Sequence, residues 1–190
     1  MSRPYTETIA LINGSMNQDS YTRKLLEKVE SRIKERGFKS TFIDVREINA
    51  PIYVPDAQPP KCIVETEEKL IGADGIVVGS PEYHGSFSGA LKNLLDYYNS
   101  SHFKDKPIAL VTTTGGVKAG TNTMNHLRLV FRNLHGLVIP PQFAISKKEA
   151  TSELLFDDNM NARLETLVSS LEKEMKKKTL YENYFNNKED

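Results

Sequence analysis

Short apolar runs alternate along this chain with stretches whose apolar residues recur at helical spacing. Thr8-Ile9-Ala10-Leu11-Ile12 is the first run, and Asn13-Gly14-Ser15 follows it. Thr41-Phe42-Ile43-Asp44-Val45, Gly75-Ile76-Val77-Val78-Gly79 and residues 108–112 repeat the type, and a fifth lies within 137–145 despite Pro140-Pro141. Apolar runs of this length fit strands buried on both faces. Leu25, Leu26, Val29 and Ile33 predict an amphipathic helix between Ser20 and Gly37, which supply a cap and a stop. Phe87, Ala90, Leu91, Leu94, Leu95 and Tyr98 give the most regular helical spacing in the chain. Met124, Leu127, Phe131 and Leu134 mark another helix, stopped by Gly136, while residues 62–71 are a weaker candidate. Residues 50–60 form a Pro-rich loop. Leu164, Leu167, Val168, Leu171 and Met175 predict a closing helix that frays into Lys176-Lys177-Lys178 and a polar tail.

Strands alternating with helices imply a parallel sheet covered on both faces. Five such units predict an α/β, doubly wound, flavodoxin-like sheet of order 2-1-3-4-5. At 190 residues the chain is expected to be a single domain, 1–190, ending in a short polar tail. In that order the strand sequence reverses between strands one and three. Ligands bind there, beyond the carboxyl ends of the strands. The loops that reach this crevice are 13–22, 80–86 and 113–118.

In the first loop, Gly14 permits a tight turn, and Ser15, Ser20 and Thr22 offer hydroxyls beside a helix N-terminus. That combination suits a phosphate monoester, although Ser20 reads equally as a plain helix cap. No GxGxxG dinucleotide fingerprint is present. In Ser80-Pro81-Glu82-Tyr83-His84-Gly85-Ser86, Pro81 stiffens the strand exit and Gly85 permits a turn. A flat heteroaromatic ring needs such a backbone ledge with an aromatic nearby; the bland reading is a loop with a surface Tyr and His. Thr112-Thr113-Thr114-Gly115-Gly116 again joins hydroxyls to glycines, but Ala119 and the lack of Gly-Lys-Ser/Thr rule out a P-loop.

Composition removes other classes. Twenty-five Lys and Arg balance 25 Asp and Glu, which argues against partners among nucleic acids or anionic membranes. Cys62 is the single cysteine, and the four histidines show no metal-ligand spacing, so no metal site is expected. His126 and His135 read as helix-surface or core residues. Phe87 stands at the centre of the only GxSxG-like stretch, and Asn13 and Ser80 stand where a phospho-receiver needs acids. No apolar run approaches the roughly 20 residues of a membrane helix, and residues 1–8 lack a signal-peptide core. A cytoplasmic protein is expected.

Gly14-Ser15-x(4)-Ser20, the long segment Gly79-Ser80-Pro81-Glu82-Tyr83-His84-Gly85-Ser86-Phe87-Ser88-Gly89-Ala90-Leu91-Lys92-Asn93, and Thr114-Gly115-Gly116 together resemble the NADPH-dependent FMN reductase family, nearest its azoreductase branch. The likeness covers about residues 8–145. It implies non-covalent FMN, with Ser15, Asn17, Ser20, Tyr21 and Thr22 at the phosphate. Pro81, Glu82, Tyr83, His84 and Gly85 would line the ring, and Thr114, Gly115 and Gly116 would close its other edge. It further implies NADPH or NADH as donor, a small acceptor such as an azo compound or quinone, and a homodimer or homotetramer. The Tyr97-Tyr98 end of a helix is one candidate for such an interface. No side chain is singled out as catalytic acid or base, since backbone N–H groups suffice to stabilise charge on the flavin. One departure stands out: the family often carries Arg where this chain has Asn17, which leaves Arg23 or Lys24 to supply the charge. A flavodoxin-type electron carrier is the alternative, but such carriers use an acidic docking face and this chain is neutral.

Overall fold

A computed structural model describes residues 7–116, 120–146, 149, 154 and 156–186. The elements are β1 Thr8–Asn13, α1 Tyr21–Glu35, β2 Lys39–Asp44, α2 Val45–Ile48, α3 Lys61–Ile71, β3 Gly75–Pro81, α4 Gly89–Asp96, β4 Pro107–Thr114, α5 Thr121–Asn133, β5 Leu137–Ser146 and α6 Asp158–Asn186. A short 3-10 turn, Ser100–His102, lies between α4 and β4.

The five strands form one parallel sheet of order β2-β1-β3-β4-β5, as the alternation predicts. Side chains alternate between its faces, so each strand feeds two cores. Ala10, Ile12, Ile76, Val78, Ile108 and Leu110 pack with α3, α4 and α5 on one side. Ile9, Leu11, Val77, Ala109 and Val111 pack with α1 and α6 on the other. All of β3 and β4 is buried, which explains their continuous apolar runs.

Glycine sets how closely these layers approach at the carboxyl edge. A Cβ on Gly14 would lie 3.0 Å from the Gly79 carbonyl and 3.0 Å from Leu91 Cβ, while the Gly14 N–H donates to Gly79 O at 2.8 Å. The first loop is thereby tied to the end of β3.

Two expectations shift. The closing helix does not fray at Lys176; α6 continues to Asn186, with Lys176 paired to Glu172 and Lys177 to Glu174 along its surface. Tyr98 cannot serve an interface, because it is buried and its hydroxyl donates to the Ile63 carbonyl at 3.2 Å. Burial pushes that hydroxyl's pKa up. Tyr97 instead donates to the Pro51 carbonyl at 3.0 Å, pinning the Pro-rich loop. His126 and His135 are exposed, on α5 and just beyond it. Val117 and Lys118 of the third loop, and residues 187–190 of the tail, lie outside the described residues.

Candidate functional site

The three loops converge beyond β1, β3 and β4, where the strand order reverses. A cavity of about 160 Å³ opens there, lined by Ser15, Asn17, Ser20, Tyr21, Thr22, Pro81, Glu82, Tyr83, Thr113, Thr114, Gly115, Ile145 and Ser146. Ten of these are the residues expected from the sequence. His84, Gly85 and Gly116 stand outside the lining, and Thr113, Ile145 and Ser146 were missed. Thr113 sits within the hydroxyl run already noted. Ile145 and Ser146 close the carboxyl end of the strand beside β4, the position at which such sheets gather ligand contacts.

The first loop folds on its own side chains. Ser15 N–H donates to Asn13 Oδ1 at 3.2 Å, Asn17 N–H to Ser15 Oγ at 3.3 Å, and Asp19 N–H to Asn17 Oδ1 at 3.0 Å. Ser20 then caps α1, its Oγ accepting from Arg23 N–H at 3.1 Å. The first N–H groups of a helix have no carbonyl partner within it, so this end attracts anions. Thr22 bonds Thr113 across the floor at 2.7 Å between hydroxyl oxygens, fixing α1 against β4.

The second loop is a tight turn. Tyr83 N–H donates to Ser86 O at 2.8 Å and Ser86 N–H donates back to Tyr83 O at 3.1 Å, with His84 at φ 51° and Gly85 at φ 77°. Two positive φ values in succession make this the turn in which glycine is favoured. It carries Tyr83, half exposed, over the cavity mouth. α5 braces it twice: Thr123 Oγ1 donates to Glu82 Oε2 at 2.9 Å, and Ser86 Oγ lies 3.0 Å from His126 Nδ1. Below, Ser88 caps α4, accepting from Leu91 N–H, and its hydroxyl donates to the Gly14 carbonyl. In the third loop Thr114 Oγ1 donates to Gly116 O at 3.0 Å. A Cβ on Gly115 would meet no atom within 4 Å, so the backbone there faces open space.

Arg23 does not turn toward the cavity. Its Nη1 lies 2.7 Å from Asp44 Oδ2, its Nε 2.9 Å from Glu27, and its guanidinium stacks on Phe42 at 4.1 Å. Burial opposes the charge, yet the bonds to Asp44 and Glu27 prevail and raise its pKa. The described lining therefore holds hydroxyls, the Asn17 amide, the Glu82 carboxylate, which accepts from Thr123, and backbone, but no basic side chain. This donor set, at a helix N-terminus beside an aromatic ledge, fits a monophosphate joined to a flat ring.

The model of a family described as NADPH-dependent FMN reductase matches residues 8–150. The chain belongs to that family. Among this family member's relatives is an FMN-dependent NADPH-azoreductase of Staphylococcus aureus, 30% identical over 172 residues, covering 85% of this chain and 91% of that protein. The fold is shared with FerB of Paracoccus denitrificans, a flavoenzyme NAD(P)H:(acceptor) oxidoreductase, at a TM-score of 0.73 and 22% identity, with 89% of this chain and 99% of that one covered. An oxidoreductase of Corynebacterium diphtheriae gives 0.72 and 19%, covering 90% and 98%.

Proposed function

We propose that the protein is an NAD(P)H-dependent FMN oxidoreductase that delivers electrons to a small acceptor such as an azo compound or a quinone. The observation that carries this reading is the cavity at the strand-order reversal, where hydroxyls, a helix N-terminus and an aromatic turn meet in a member of the FMN reductase family. Bound FMN supplies hydride acceptance from a nicotinamide and delivery to an acceptor.

The chain's own residues bind and orient. Ser15, Asn17, Ser20, Tyr21 and Thr22 take the phosphate end. Pro81, Glu82 and Tyr83 face the ring from one side, and Thr114 with Gly115 from the other. His84 and Gly85 act through the turn, by holding Tyr83 and the Glu82 backbone in place. The Glu82 N–H is occupied by Thr113 O at 2.9 Å, which fixes the distance between the two ring-facing loops. No side chain is assigned as acid or base.

Assembly as a homodimer or homotetramer is part of the proposal. Ile52 is 79% exposed on a loop held rigid by Asn93, which accepts from Tyr53 N–H and donates to Pro51 O. Apolar side chains fixed in water in this way suit burial against another copy. A cytoplasmic location accords with the described helices, none of which is long and apolar enough to cross a membrane.

Donor and acceptor are proposed to use the cavity at the strand-order reversal in turn. Steady-state rates of NADPH oxidation, with FMN present and a quinone acceptor varied, should give parallel double-reciprocal lines. Intersecting lines would require a ternary complex and a second binding pocket.

A further inference from the structure

Glu82 is the one charged side chain in the described lining of the cavity. It lies between Pro81 and Tyr83, on the loop assigned to the ring, and it is held at both ends. Its N–H donates to Thr113 O at 2.9 Å, and its Oε2 accepts from Thr123 Oγ1 at 2.9 Å. Thr123 is buried in the first turn of α5, which begins at Thr121. The carboxylate therefore sits at a helix N-terminus, where the backbone dipole favours negative charge. No basic side chain of the described lining offsets it.

We propose that the Glu82 carboxylate opposes the negative charge that reduction places on the flavin ring, which lowers the affinity for reduced FMN selectively and biases the site toward giving its electrons up. This rests on the FMN reading of the cavity. A hydride brings two electrons and one proton from the nicotinamide, so the ring that accepts it gains one negative charge. A carboxylate fixed in the same cavity repels that charge and acts little on the neutral oxidised ring. The repulsion is weak in open water and grows as the ring covers the loop and displaces water. Oxidised and reduced FMN differ only at the ring, so the contacts of the first loop with the phosphate cancel when the two forms are compared.

The test combines the dissociation constant of oxidised FMN, read by quenching of flavin fluorescence, with the midpoint potential of the bound flavin, read by anaerobic titration against a reference dye. Together they give the affinity for the reduced form. Glu82→Gln removes the charge and keeps an oxygen for Thr123. It should tighten reduced FMN by about three- to tenfold, the scale of two unit charges partly screened by water, and leave oxidised FMN within about twofold. The midpoint potential should then rise by about 15–30 mV for a two-electron couple. Riboflavin should show the same rise, because it carries the same ring without the phosphate. Glu82→Asp keeps the charge but shortens the reach to Thr123, and should stay nearer the wild-type potential than Glu82→Gln does. Equal tightening of both redox forms in Glu82→Gln, or a rise confined to FMN, would overturn the proposal, since the carboxylate would then act on the phosphate or on the pocket's shape. An unchanged potential, or an equal rise in the Asp and Gln variants, would overturn it too. Absence of flavin binding by the wild type would overturn both this inference and the function on which it rests.

Discussion

The Ser20 hydroxyl accepts from Arg23 N–H and still has a proton to give, because a hydroxyl is both donor and acceptor. Capping α1 and donating to a phosphate are thus compatible roles. Ser20→Ala should cost about 1 kcal/mol of stability as a lost cap. It should also weaken FMN by roughly tenfold or more while leaving riboflavin nearly unchanged, as expected for one bond to a charged group. Equal losses for both flavins, measured by equilibrium titration, would leave Ser20 only its cap. Glycines give a second residue-scale contrast. Gly85 has φ 77°, so Gly85→Ala should destabilise by about 1–2 kcal/mol even though its Cβ would find space. Gly89 opens α4 with no atom within 4 Å of a Cβ, so Gly89→Ala should stabilise by about 0.4–1 kcal/mol. Urea unfolding of the two variants should show opposite signs. The need for a turn at Gly85 was legible in the sequence. The fate of Arg23 was not, because Asp44 and Phe42 reach it only through the β1–β2 pairing.

At the scale of elements, β5 shows what pattern reading misses. β4 advances from Ile108 to Leu110 while β5 advances from Val138 to Gln142, so the extra residues around Pro140-Pro141 bulge out. Arg128 of α5 covers the bulge, donating to the Ile139 and Pro140 carbonyls and to Gln142 Oε1 at 3.0–3.3 Å. Nothing in the local sequence links Arg128 to a strand eleven residues on. Arg128→Ala should cost about 1–3 kcal/mol by leaving those carbonyls short of donors, and Arg128→Lys should recover little, since one ammonium cannot span the fork. Chemical denaturation of both variants measures this. Most helices were visible from their apolar spacing because each covers a buried sheet face. α2, four residues long, carries too little periodicity to be seen. The end of α6 was misjudged because Lys176-Lys177-Lys178 interrupts the apolar spacing, whereas Lys176 and Lys177 remain on the helix surface, paired with Glu172 and Glu174.

Across the whole molecule, the alternation of buried runs and amphipathic stretches pointed to a parallel sheet, several strand orders fitted it, and the order the chain adopts opens a cavity where the expected loops converge. The contacts of Ile145 and Ser146 on β5 needed the folded chain. The end of the sheet opposite the site carries a buried ammonium. Lys106 donates to the Leu70 and Ile71 carbonyls at the end of α3, and burial, reinforced by Lys178 and partly offset by Asp74, lowers its pKa to about 8. The unfolded chain holds this proton up to the ordinary lysine range, so between about pH 8 and 10 it binds more protons than the folded one. Stability should therefore rise with pH across that window, and the rise should vanish in Lys106→Met. Melting temperatures at stepped pH check the sign.

The claim that this cavity makes the chain an NAD(P)H-dependent FMN enzyme is tested most directly by colour. Protein reconstituted with FMN, freed of excess flavin and kept anaerobic, should be yellow and should bleach on adding NADPH or NADH. Bound flavin that stays yellow with both donors would contradict the account and leave an electron carrier in its place.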